Sequence, residues 1–509
     1  MKNNLNLKTF GIGIFLSTLL IVSGFVALAA DGGDVLTVRA RKGNDITNMD
    51  PAFHLGDEEY NINLAIFSRL MKYKPGSQEL KLDAAKSVDV SEDGKTVTFE
   101  LKQGIQFHEG YGEMTAEDVK FSYERIVDPE NDSPYKGEWE TLDHVEVTGK
   151  YTGKLVFSEP LASLFTTTIP YTSGAIISKK AYQELGDEFS THPIGSGPYR
   201  WKEWQPEQKI VLERFEDYYG EKPEFKTIEI LTIENTQSAE MAFDRGEIDD
   251  TSISLSSVDR YRDKDNAVVH KLTNLRYHWV GFNTQAEPFN DIRVRKAIRY
   301  AIDSGEIVEG AYNDVPEVNN CMLPEQIVGS WDGCPDYQQD VEKAKELLED
   351  AGYADGFETT IIVGGPDYHS FSAQIIQQQL MQVGIDIRIK EVENQYETLN
   401  KLPAAMHYYS FSLNLNPGYW FEWFTCDQVG KWNVVAWCNE EYDELLVEAN
   451  TTLDQELRTK NFVKMQKLMH EEVPLVFVTN GANVHVTKPT IEPSYLAQYA
   501  QYEYYEKKE

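Results

Sequence analysis

Cysteine and positive charge are what this chain has least of. There are 4 cysteines in 509 residues, and 48 Lys and Arg stand against 83 Asp and Glu, a formal net charge of −35. A field of that sign repels phosphate backbones and anionic lipid headgroups, which excludes nucleic acid as a partner. No Walker sequence, H-E-x-x-H or G-x-S-x-G occurs, and "GSGPY" (Gly195 to Tyr199) holds a lone G-x-G without the rest of a phosphate-binding fingerprint. "DPENDSPYKGEW" offers Asp128, Glu130 and Asp132 in the manner of a calcium loop but lacks its glycine and its closing glutamate. No histidine spacing suits a metal ion, and no cofactor is expected. Beyond residue 30 no apolar run is long enough to span a bilayer. Disorder is excluded as well, because 41% hydrophobic and 12% aromatic residues can fill large cores.

The one long apolar run, Phe10 to Ala30, follows Lys2 and Lys8 and closes on Ala27-Leu28-Ala29 before polar "DGGD". This predicts a secretory signal over residues 1–30, with a retained anchor as the alternative. No cysteine stands near the cut to carry a lipid, so the product is expected to be exported and free. In an exported chain the close pairs Cys321/Cys334 and Cys426/Cys438 read as disulfides. Three pairings are possible. Short-loop closure favours Cys321–Cys334 and Cys426–Cys438, each worth about 3 kcal/mol.

Val97, Phe99 and Leu101 alternate with Thr98, Glu100 and Lys102 after an Asp93-Gly94 turn, which predicts a half-buried hairpin strand. Thr115, with Asp118 three residues on, opens a helix. In the second half "DIRVRKAIRYAID" and "DVEKAKELLEDAG" carry helical spacing, the latter stopping at Gly352, and "FETTIIVGG", "SFSAQIIQQQLMQVG" and "IDIRIKEVE" read strand, helix, strand. That succession fits an α/β lobe with a right-handed crossover.

These same stretches carry a resemblance. "TVTFELKQGIQFHEGYGEMTAEDVKFSYERIVDP", "HPIGSGPYRWKEW", "FEDYYGEKPEFKTIEI" with "MAFDRGEIDD", "FNTQAEPFNDIRVRKAIRYAID" and "CNEEYDELL" are similar, in order, to segments of the peptide- and nickel-type (family 5) solute-binding proteins of ABC importers. The resemblance implies an α/β, two-lobe periplasmic-binding-protein-like fold of type II, with an extra inserted subdomain. Lobe I is expected over 31–66, 190–274 and 480–509, the inserted subdomain over 67–189 and lobe II over 275–479, with hinge crossings near 274 and 480. It also implies a periplasmic binding protein, expected to be monomeric and not an enzyme. Its ligand would be a peptide or small molecule closed between the lobes, and its partners the membrane permease subunits.

In peptide-binding relatives an extended stretch lines the cleft and an Asp holds the peptide's α-amino group. Aligning "YSFSLNLNP" with that pattern puts Leu413 at the Asp and Asn416 at a later one. The chain departs where amine recognition is carried, and burying an ammonium without a counter-charge costs several kcal/mol. Asp45 or Glu422 could supply the acid instead. The expected ligand-binding set is Asp45, Tyr277, Trp279, Asn283, Tyr408, Phe411, Leu413, Asn414, Asn416 and Trp420, and the rings of the aromatic-rich segment from Ser410 to Leu446 also suit sugars. An oligosaccharide or other non-peptide solute is the alternative ligand. A secreted hydrolase stands third, resting only on the certainty that some of the carboxylates lie close together. Trp432 and Trp437 are expected to be tucked inward by a Cys426–Cys438 clip, and His108 to be structural. Arg293, Arg295, Lys296 and Arg299 are expected to form a solvated basic face.

Overall fold

Thr96–Leu101 forms the expected strand, and Gly94 takes the positive φ of +70° that the preceding turn needs. The strand joins a four-stranded sheet in the order Ala85–Val90, Thr96–Leu101, Thr152–Phe157 and Leu142–Gly149. The structure is a computed structural model describing residues 33–401 and 405–508, so the signal-sequence reading of residues 1–30 lies outside the described residues.

Two larger sheets organise the rest. The first has seven strands in the order Val268–Leu272, Asn483–Thr487, Asp250–Ser252, Val35–Arg39, Thr227–Leu231, Lys209–Arg214 and Tyr199–Gln205. The second has five, Ile385–Glu391, Phe357–Val363, Met406–Ser412, Arg276–Phe282 and Leu475–Thr479. The expected strand–helix–strand unit is present: Phe357–Val363 pairs in parallel with Ile385–Glu391, and helix Asp367–Met381 connects them. The chain passes between the two large sheets twice, after Leu272 and after Thr479.

Local signals behave as elementary chemistry requires. Thr115 and Asp118 form a reciprocal capping box on helix Ala116–Val127. On helix Ile292–Ala301 the residues Val294, Ala297, Ile298 and Ala301 are buried. The glycines of "GSGPY" serve packing: a Cβ on Gly195 would meet the Ile66 carbonyl oxygen at 2.1 Å, and one on Gly197 the Ala65 oxygen at 2.5 Å. His108 is buried beside them, its Nε2 3.0 Å from the Gly197 oxygen, the structural role expected of it. Both disulfides have the favoured pairing, Cys321–Cys334 and Cys426–Cys438.

Two expectations are corrected. Arg295 is only 6% exposed and donates to the carbonyls of Phe289, Glu472 and Val473, while Arg299 donates to that of His470. Half of the supposed basic face therefore clamps the helix to the end of helix Gln455–Glu472, where free carbonyls need donors. Trp437 is buried and its indole donates to Glu472, but Trp432 is 45% exposed and rests on Trp423 and Tyr396. The disulfide closes a loop whose tip faces outward, which brings only one of its two tryptophans inside.

The cores divide accordingly. One joins the first sheet to the four-stranded sheet and includes Leu36, Val97, Trp139, Trp201 and Ile230. Another lies under the helices of the second sheet, around Phe282, Ile298, Ile361 and Leu380. A third belongs to both sides.

Candidate functional site

That third cluster is where the two halves meet. Tyr60, Leu64, Tyr73, Tyr171 and Tyr499 come from the side of the first sheet; Tyr277, Trp279, Leu413, Leu415, Trp420 and Phe424 come from the second. Its aromatic content follows from strand periodicity. Tyr277 and Trp279 are two apart on Arg276–Phe282 and share a face, and pairing with Met406–Ser412 sets Tyr277 opposite Phe411 and Trp279 opposite Tyr409. Ring centroids lie 5.0 Å apart for Tyr277–Trp279, 5.7 Å for Tyr277–Trp420 and 5.1 Å for Trp279–Phe411.

Beyond the strand the chain turns on its own asparagines. Asn414 accepts from the Asn416 amide at 2.9 Å, and its backbone oxygen accepts from the Trp420 indole at 2.8 Å. Asn416 caps helix Pro417–Glu422, accepting from Gly418 N and from Arg458 Nη2, each at 3.1 Å. Leu413 is 5% exposed within the shared cluster and its amide donates to the Leu275 oxygen at 2.8 Å.

Five of the expected residues therefore come together as one ring and aliphatic surface: Tyr277, Trp279, Phe411, Leu413 and Trp420. Asn414 and Asn416 shape the turn beside it. Three residues do not join, and each has a reason. Tyr408 lies on the opposite strand face from Phe411, hydrogen-bonded to Tyr312 at 2.9 Å under the helices; a period of two cannot put 408 and 411 on one face. Asn283 accepts from the Gln285 amide and closes the turn at the strand's end. Asp45 accepts from the Trp204 indole at 3.0 Å and the Glu207 amide at 2.6 Å, which strap it to the hairpin of Tyr199–Gln205 and Lys209–Arg214.

Several residues of the surface escaped the sequence. Tyr60 packs between Tyr171, tilted with centroids 4.1 Å apart, and Tyr499, edge-on at 4.3 Å, bringing together three distant parts of the chain. His407 and Tyr409 share the face of Phe411, and the alternation 407, 409, 411 was the available signal. Glu138 accepts from Ser173 at 2.7 Å, and burial pushes its carboxyl up to about 7. The charge of Glu138 is felt at the Tyr419 hydroxyl, and that of Glu140 at Glu422, whose own carboxyl is raised by burial and then by Asp427 and Glu140. Arg458 is fully buried at the junction, and burial lowers its guanidinium to about 10. Arg458 reaches Thr166 Oγ1 at 3.4 Å from the opposite side. Among the described residues one trio has metal-ligand proximity, Cys321, Cys334 and His470, and both sulfurs are already joined to each other.

Such a surface, buried between two α/β lobes, suits an occupant held by both of them, and the comparisons place it in a family. The family model for bacterial extracellular solute-binding proteins, family 5 Middle, matches residues 79–431. The dipeptide-binding protein of Escherichia coli is 25% identical over 459 residues, covering 82% of this chain and 84% of that protein. HbpA2 from Haemophilus parasuis superposes with a TM-score of 0.83 at 22% identity, over 93% of this chain and 99% of its own. The periplasmic binding protein DppA from Helicobacter pylori, solved with the peptide STSA, gives a TM-score of 0.72 at 26% identity, over 93% and 98%. Among the described residues no helix is long and apolar enough to cross a membrane. With its two-lobe type II fold, the chain belongs to the bacterial extracellular solute-binding proteins of family 5.

Proposed function

We propose that this protein captures short peptides between its lobes and delivers them to the membrane subunits of an ABC importer. The observation that carries the reading is the ring surface shared by both lobes, in which Tyr60, Tyr171 and Tyr499 belong to one buried cluster with Tyr277, Trp279 and Trp420. A ligand gripped by both sides favours the closed state by its differential affinity, and a near-complete switch needs about 5.5 kcal/mol, within the roughly −8 kcal/mol of micromolar binding. Relatives named for dipeptides, and one solved with a bound peptide, support the ligand class.

In this reading the crossings after Leu272 and Thr479 are the hinge, lobe I comprises 31–66, 190–274 and 480–509, and 67–189 is a subdomain inserted in it. The protein works as a free periplasmic monomer after loss of residues 1–30. The ligand's amine is held by acids other than the one missing at Leu413, and Glu138 and Glu422 are the carboxylates nearest to that role. Mass spectrometry of ligand carried by protein purified from its native host tests the proposal, followed by calorimetry with the identified compound. A peptide with micromolar or tighter affinity is expected; a non-peptide ligand, with peptides inert, would sink it. One observation favours oligosaccharides as a second reading: Leu413 offers no charge, and the rings of Tyr409, Phe411, Tyr419 and Trp423 are only partly buried, as stacking platforms for sugars would be.

A further inference from the structure

Cross-strand pairing in the second sheet sets Gly281 opposite His407 and Trp279 opposite Tyr409. A Cβ on Gly281 would lie 2.2 Å from Nε2 of His407 and 2.9 Å from Nε1 of Trp279, so only glycine lets the imidazole and the indole edge converge there. His407 is 1% exposed and Trp279 0%. Neither ring nitrogen of His407 nor the Trp279 N–H has a hydrogen-bond partner among the described residues, and the buried N–H of Trp423 is in the same position. Unpaired buried donors are costly, and those converging at Gly281 call for a partner from outside the chain, a water or a ligand group.

The rings around them lead outward. Phe411 lies 5.1 Å from Trp279 and 5.4 Å from Trp423; Trp423 lies 5.3 Å from Trp432, and Trp432 4.9 Å from Tyr396. Phe411 and Trp423 are half-buried, and Trp432 is 45% exposed. An aromatic ladder thus runs from the surface to the unpaired nitrogens.

We infer that this ladder and its floor form a side-chain subsite for an aromatic ring bearing an oxygen acceptor, in a captured peptide a tyrosine. The inference rests on the peptide-capture reading. Charge narrows the class. Burial holds the His407 imidazole down to about 3, so it is neutral at ordinary pH. Among the described residues no hydrogen bond or ion pair ties a charged side chain to His407, Trp279 or Trp423. A carboxylate or ammonium placed there would be buried without a counter-charge. An aliphatic side chain would leave the indole donors unpaired. A phenol satisfies both demands: its ring stacks on the ladder, and its oxygen accepts from an indole N–H.

Calorimetry with tripeptides that differ at one position in Ala, Phe or Tyr tests this. The tyrosine peptide is expected to bind about fivefold more tightly than the phenylalanine one, the worth of one hydrogen bond, and both should exceed the alanine peptide. Trp279→Phe and Trp423→Phe keep a ring and remove the N–H; the Tyr-to-Phe affinity ratio should fall toward one. Trp423 is only partly buried, so its variant keeps the test available if Trp279→Phe fails to fold. Trp432→Ala, at an exposed ring, should weaken both aromatic peptides. The three peptides binding alike, or the tyrosine preference persisting in both Phe variants, would overturn the subsite while peptide capture stands. If no peptide binds and an oligosaccharide does, the peptide reading falls and the assignment with it.

Discussion

The side-chain amide of Asn480 donates to the backbone oxygen of Arg276 at 2.9 Å. It also reaches the oxygen of Met322 at 3.4 Å, and its own oxygen accepts from Asn319. Asn480 and Arg276 stand at the two places where the chain passes between the large sheets. One largely buried side chain therefore fastens both crossings to each other and to the loop closed by Cys321–Cys334. Asn480→Ala leaves these groups unpaired and should cost about 1–3 kcal/mol, measured by denaturant melts. Small-angle scattering should also show a smaller ligand-induced compaction than in the wild type. An unchanged melt and unchanged compaction would show that the crossings are held elsewhere.

Leu413 is buried in the shared cluster, and the register we propose sets it where the family pattern has an amine-holding Asp. Leu413→Asp should strengthen free-amine peptides relative to their N-acetyl forms by about 1.5–3 kcal/mol, the value of a charge-assisted bond. Leu413→Asn, similar in shape and uncharged, should gain less. Equal response of both peptide forms to the Asp variant would mean that the ligand's nitrogen lies elsewhere.

Both disulfides close short loops, with sequence separations of 13 and 12 residues. Thiol labelling of denatured, exported protein is expected to find no free cysteine. Cys426→Ala with Cys438→Ala should lower stability by about 3 kcal/mol and loosen the loop that presents Trp432. Any labelled thiol in exported material would contradict the oxidised state.

Acid should destabilise the fold. Burial lowers the imidazoles of His54 and His407 to about 3 and those of His108 and His369 to about 4, and holds His278 well below its ordinary value. The unfolded chain takes up these protons near pH 6.5 and the folded chain does not. The stability contribution is therefore whole above 6.5 and is lost as pH falls toward the folded values, at about 1.4 kcal/mol per pH unit for each such histidine. Glu58, raised by burial to about 8, and Glu138, raised to about 7, act oppositely and return part of this as pH drops toward 4.5. Between pH 6.5 and 4.5 the seven lowered histidines, with His270 and His470 among them, outnumber the five raised carboxyls, Glu422, Asp443 and Glu503 included, so stability should fall on acidification. His407→Phe should make the slope of stability against pH shallower by about 1.4 kcal/mol per unit; an unaltered slope would place that proton elsewhere.

Much was determined by the sequence alone. The strand Thr96–Leu101, the capping box of Thr115 and Asp118, the helices Ile292–Ala301 and Val341–Asp350 and the parallel pair around Asp367–Met381 are all written in short-range pattern. Their causes are local: side-chain period, capping chemistry and turn residues act within a few positions. The close spacing of the cysteines likewise favoured the pairing found. Ordered motifs were enough for the family resemblance, because each marks a turn or contact of the fold, as Gly195 and Gly197 do against Ile66 and Ala65. What only the tertiary structure decided is which rings meet. Tyr60, Tyr171 and Tyr499 are each more than 100 residues apart in the chain, and nothing local announces that their rings meet. Arg295 looks solvated by composition and is buried because carbonyls at a helix end need its donors. Tyr408 and Phe411 both look fit for a ligand wall, and the sheet turns one to the helices and the other to the shared ring cluster. Which face of a strand meets which partner is set by packing between distant segments, and a chain read in order carries no record of it.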